Sequence, residues 1–145
     1  MAALFVLVAI AAGAFLPLQA GVNTRLSHFV GGPIRASFVS FAIGAFVLFV
    51  VALIAYRGGV GRAGAAPWWA WIGGALGAFY VTAAIVVGPR IGSAAFFGIL
   101  VAAQLVTSVL ADRFGWLGYA RHDLSPARLT GVLLLVSGAL LVRLF

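Results

Sequence analysis

The chain has 145 residues, 65% of them hydrophobic and only 8% charged, where a soluble domain carries about 25% charged residues. With a mean hydropathy of +1.22 it holds more apolar surface than a fold of this size can bury, so its solvent is lipid and its fold class is all-α integral membrane protein. The formal net charge is +7, but the basic residues are arginines set singly at the ends of apolar runs, which argues for headgroup contact and against nucleic acid as a partner.

A run of about 20 apolar residues crosses a bilayer as a helix. Five such spans are expected, at 2–23, 34–56, 68–88, 90–111 and 127–145, forming one transmembrane domain over residues 1–145. "MAALF" lacks the basic start of a signal peptide, and the later runs are equally apolar. The first span carries Pro17, whose ring removes a helical hydrogen bond and crowds the carbonyl of Gly13, so Gly13 and Pro17 are expected to act as a hinge. Pro33, Pro67, Pro89 and Pro126 each read as a helix start, with Ser125 as an N-cap before the last. Trp68, Trp69 and Trp71 open the third span as an aromatic belt does. Small residues recur four apart at Ala36, Ser40 and Gly44, at Gly73 and Gly77, at Gly74 and Ala78, and at Ala94, Gly98 and Ala102, which lets helix backbones approach closely. Between Asp112 and Ser125, the aromatic and aliphatic residues Phe114, Trp116, Leu117 and Tyr119 suggest a segment lying in the interface.

Polar groups inside spans are costly and are expected to face protein or a wet cavity. Gln19 and Asn23 lie four apart on one face of the first span, and Gln104, Ser108 and Asp112 follow the same spacing on the fourth. Tyr80 and Thr82 sit near the middle of the third, too deep for an aromatic belt. Gln19, Asn23, Tyr80, Gln104 and Ser108 are therefore the candidate substrate contacts, against the plainer role of hydrogen-bonding helices together. The acids are Asp112 and Asp123, both at or beyond a helix end. Asp112 is the one candidate for coupling, and the plainer expectation is that Arg113 or the loop satisfies it. With no cysteine, no metal cluster and no nucleophile–base pair, the sequence reads as neither an enzyme nor a cofactor protein. His122 and Asp123 lack a third member and read as solvated loop residues.

With five spans the termini face opposite sides. Arg57, Arg62, Arg113, Arg121 and Arg128 then share one face, and Arg25, Arg35, Arg90 and Arg143 share the other. Orientation follows arginine and lysine asymmetry, and the near balance predicts insertion both ways round, as an antiparallel ten-helix homodimer. Gln19 lies about 10 Å beyond residue 12, taken as the middle of its span, and Ser108 about 10 Å beyond residue 101. Inverting a partner brings its Gln19 to the level of Ser108, so the two polar strips are expected to meet across the dimer.

"GAFLPLQAGVNTRL", "GGP" before the second span, "GPRIGSA" and "QLVTSVLADRFGWLG" together resemble the YdcZ-like branch of the drug/metabolite transporter superfamily, in the same order along nearly the whole chain. That resemblance implies a small five-span inner-membrane exporter of the bacterial plasma membrane, working as a paired or dual-topology half of a ten-helix body. It carries over to Pro17, Gln19 and Asn23, to Pro89, Arg90 and Gly92, and to Gln104, Ser108, Asp112 and Gly115. Ala103 departs from the glycine the pattern has before its glutamine. The four-span multidrug relatives use a first-helix glutamate that this chain lacks, so their proton–cation exchange does not transfer. The expected function is a secondary transporter of a small, largely neutral or polar metabolite or drug-like solute, its partners being the bilayer, its substrate and a second copy or a five-span paralogue. The alternative is a non-transporting scaffold or accessory subunit.

Overall fold

The computed structural model describes residues 2–55, 61 and 63–145. Tyr56, at the expected end of the second span, and Arg57 and Arg62, two arginines of the charge count, lie outside the described residues. The described chain is helical: α1 (Ala2–Val30), α2 (Pro33–Ala55), α3 (Gly73–Ile91), α4 (Ser93–Phe114) and α5 (Pro126–Leu144). Short 3₁₀ turns occupy Ala63–Ala65, Trp68–Ile72 and Trp116–Gly118. Among the described residues five helices are long and apolar enough to cross a membrane, the third counted from Trp68 to Ile91. Large apolar side chains stand exposed along them, as Phe5, Leu18, Phe46 and Leu134 do, which suits helices whose outer surface meets hydrocarbon.

Two boundaries differ from the sequence expectation. The first helix does not stop at 23 but runs through Pro17 to Val30. Ser27 returns its hydroxyl to the carbonyl of Thr24 at 2.7 Å, so the polar stretch "NTRLSH" stays helical. What ends α1 is glycine. Gly31 has φ +79 and the N–H of Gly32 donates to the Ser27 carbonyl at 2.8 Å, a Schellman stop. The guanidinium of Arg35 reaches back to the Val30 carbonyl at 3.4 Å, placing positive charge at the negative end of the helix dipole.

The second difference is at Pro89, which does not start the fourth span but lies in the last turn of α3, inside the helix. A proline there forgoes one bond near an end that frays anyway. The break comes at Gly92, whose φ of +89 is a conformation glycine adopts without strain. Pro17 is therefore not alone among prolines inside a helix. α4 accordingly runs three residues later than expected and keeps Asp112 and Arg113 inside its last turn, closing at Gly115 with φ +66 and its N–H on the Ala111 carbonyl. Measured from the new helix middles, Gln19 is about 4 Å and Ser108 about 7 Å away, both more central than the sequence spans implied. Ser125 caps α5 as expected, its Oγ accepting from the Arg128 N–H at 3.2 Å.

The helices group into two compact units, residues 1–86 and 87–145. In the first, Ala36 is fully buried with Val81 and Ile85, and Leu26, Val30 and Tyr80 pack around them. Gly77 gives Phe41 its place, since a Cβ there would stand 3.2 Å from the Phe41 ring. In the second, α4 lies against α5, and a Cβ on Gly98 would meet the Ala139 backbone at 3.6 Å. The small-residue stripes thus serve packing at Ala36, Gly77, Gly98 and Ala102, whereas Gly44, Gly73 and Gly74 meet nothing within 4 Å.

Candidate functional site

In the first unit the polar centre is built where three helices converge. Ser37 lies one turn into α2, where its hydroxyl donates to the Pro33 carbonyl at 3.0 Å, four residues back as serine does in a helix. Thr82 of α3 donates to Ser37 Oγ at 2.9 Å, tying the two helices together. Asn23 lies on the inward stripe of α1 formed with Ala20, Leu26 and Val30. It is 3% exposed, and its Nδ2 has no hydrogen-bond partner. A buried amide hydrogen left unpaired costs about 1–3 kcal/mol, so Asn23 is the least settled polar group of the unit.

Gln19 does not share this burial. Residues four apart on a helix are offset by about 40°, enough here to leave Gln19 exposed on the flank of the stripe that buries Asn23. Tyr80 is half-buried against the Ala36 cluster. The first-span pair is thus split into one inward and one outward amide. Sequence reasoning missed Ser37; the signal available was a serine four residues after Pro33 at a helix start.

In the second unit Gln104 and Ser108 are exposed on α4. Thr107 instead donates to the Ala103 carbonyl at 2.8 Å. Ser108 and Asp112 line a cleft of about 250 Å³ together with Thr107, Ala111, Trp116, Leu117 and Tyr119. The turn carrying those aromatics is shaped by Gly115 and by Leu117 at φ +56, and Phe114 stacks on Trp116 with ring centres 5.4 Å apart. The loop reaches Asp112 only through its backbone, where the His122 N–H donates to the Asp112 carbonyl at 3.0 Å, and the carboxylate is paired neither with Arg113 nor with the loop. Its Oδ2 accepts from Arg128 Nη2 at 3.2 Å, because the first turn of α5 brings that arginine alongside the end of α4. Arg113 instead donates to Asp123 at 2.6 Å, so Asp123 is engaged by an arginine rather than by its neighbour His122. Both carboxylates of the chain are thus matched by arginines, and no acid stands in the middle of a described helix.

What these elements offer chemically is hydrogen bonding without catalysis: amides and hydroxyls on apolar helices, with charge confined to helix ends. A family model described as "Putative inner membrane exporter, YdcZ" matches residues 4–141. The chain is also 33% identical over 136 residues to the inner membrane protein YdcZ of Escherichia coli (strain K12), covering 92% of this chain and 90% of that protein. No solved structure matches it.

Proposed function

The chain belongs to the YdcZ family of inner-membrane exporters, multi-pass membrane transport proteins rather than enzymes, and on that premise we propose that it moves a small neutral or polar solute by alternating access as an inverted homodimer. A five-helix chain of this size leaves little room for a path, and secondary transporters commonly pair inverted halves around a midplane site. The near balance of arginines between the two faces supports insertion in both orientations. The observation that carries the reading is Asn23: an amide held 3% exposed among apolar helices with its nitrogen unpartnered. Polar groups at membrane depth are retained where substrate or ions pass.

In this reading Asn23 and Tyr80 contact solute from within the first unit. Gln19, Gln104 and Ser108, exposed in the single chain, meet the second copy or line the path between the two. Gly13 and Pro17 supply the flexure that switches access, since the carbonyl facing the proline has no intrahelical donor. Asp112, paired with Arg128 at 3.2 Å, is the carboxylate available for coupling.

The test biases orientation. Arginines added to one loop force a single topology. Two variants biased in opposite senses are expected to lose resistance to a panel of toxic neutral solutes when expressed alone, and to regain it when expressed together. A single biased variant that protects cells as well as the original chain refutes the inverted pair.

A further inference from the structure

Asn23 also carries information about which solutes can bind, once hydrogens are counted. Each hydroxyl owns one hydrogen. Ser37 spends its own on the Pro33 carbonyl, and Thr82 spends its own on Ser37 Oγ. Neither has a hydrogen left to give. The buried donor of this cluster without a partner is Asn23 Nδ2, and acceptor capacity remains on the Thr82 oxygen and on the amide oxygen of Asn23 itself.

Their relative height follows from the packing. The tight glycine turn makes α1 and α2 an antiparallel hairpin, so residues equally far from Gly31 and Gly32 stand level. This sets Asn23 beside Ser40. The Thr82–Ser37 bond and the Gly77–Phe41 contact fix the register of α3 on α2, which puts Ser40 level with Phe79. Thr82 is then about 5 Å further along the axis from Asn23. An axial offset of this size is within the span of one small polar group that accepts at one end and donates at the other.

Charge narrows the class. The acids of the chain are Asp112 and Asp123, both in the second unit. An ammonium has donors and no acceptor, so it can use the amide oxygen of Asn23 but leaves the buried Nδ2 unpaired, and the first unit holds no carboxylate for it. An anion held by one amide would be buried nearly bare. Burial also separates Asn23 from the exposed amides: a second chain can reach Gln19, but a residue 3% exposed leaves room only for a ligand small enough to enter between the helices.

Resting on the transporter reading above, we infer that Asn23, with Thr82 beside it, forms a donor-led subsite that selects neutral carbonyl compounds, carboxamides above all, and rejects organic cations. The experiment is a thermal melt of the purified full chain in detergent with isobutyramide or, on the same carbon skeleton, isobutylammonium. Isobutyramide at tenfold excess over its Kd is expected to raise the melting temperature by about 3 °C or more, and isobutylammonium to leave it unmoved. Asn23→Leu is expected to melt no lower than the original chain and to lose the isobutyramide shift. Asn23→Asp, which replaces the donor by a carboxylate and serves also if the leucine variant does not fold, is expected to reverse the preference toward isobutylammonium.

An equal shift by both probes, an isobutyramide shift that survives in Asn23→Leu or Asn23→Asp, or no shift with either probe, as a site holding only water gives, overturns the proposal. Binding in detergent needs no export. Loss of the probe preference with orientation-dependent resistance intact therefore refutes this subsite alone, and the opposite outcome refutes the inverted transporter alone.

Discussion

Gly98 is where the packing of α4 on α5 can be measured most sharply. A Cβ at this position would stand 3.6 Å from the Ala139 Cα and 3.7 Å from its Cβ, ordinary van der Waals distances. Gly98→Ala is therefore expected to fit. It also removes the backbone freedom that makes glycine a poor helix residue, so its stability should equal or exceed the original by about 0.5 kcal/mol. Gly98→Val is different. Its two γ carbons cannot both turn away from Ala139, which is itself only 8% exposed, and overpacking of this kind costs about 1–3 kcal/mol. Gly44 is the control, since a Cβ there meets nothing within 4 Å, and Gly44→Val should register only helix propensity. Equilibrium unfolding in mixed detergent, followed by tryptophan fluorescence, gives the three differences directly. If Gly98→Ala is already as unstable as Gly98→Val, or if Gly98→Val matches Gly44→Val, the close approach of the two helices is wrong.

Other substitutions in the second unit separate structural from idle charges and caps. Asp112→Asn removes the carboxylate from Arg128, whose Nη1 is already buried without a partner, and is expected to cost about 1–2 kcal/mol in the same unfolding assay. Arg113→Gln, whose partner Asp123 is 95% exposed at its side chain, should leave the unfolding midpoint unchanged; a larger effect than Asp112→Asn reverses the assignment. Gly115→Ala forces a side chain into φ +66 with its Cβ 2.9 Å from Arg121 Cγ, and should lose about 1–2 kcal/mol. Ser125→Ala deletes the cap on Arg128 N–H and should lose about 1 kcal/mol, readable as a lower unfolding midpoint.

The five spans were legible because long apolar runs have few alternatives in lipid, and Ser125–Pro126 was legible because cap chemistry is local. The ends of α1 and α3 were not. Residues 24–30 look polar enough to be loop, yet a helix tolerates them until Gly31 can adopt positive φ. Pro89 looks like a start, yet a proline in a last turn loses little, and the glycine three residues later makes the break. The candidate site divided in the same way. Spacing puts Gln19 and Asn23 on one face, but only packing decides which edge of that face turns inward, and the sequence holds no record of that angle. Asp112 found Arg128 through the contact of α4 with α5, sixteen positions along the chain, where the sequence offered Arg113 or the loop.

The absence of cysteine from the chain allows the inverted pair to be tested by a single cross-link. Gln19→Cys and Ser108→Cys are placed in separate chains, co-expressed in the inner membrane and treated with a short bifunctional maleimide. The account predicts a covalent dimer that forms only when both variants are present, because inversion brings Gln19 of one copy to the level of Ser108 of the other. No dimer on co-expression, with efficient internal cross-linking in a chain carrying both substitutions, contradicts it.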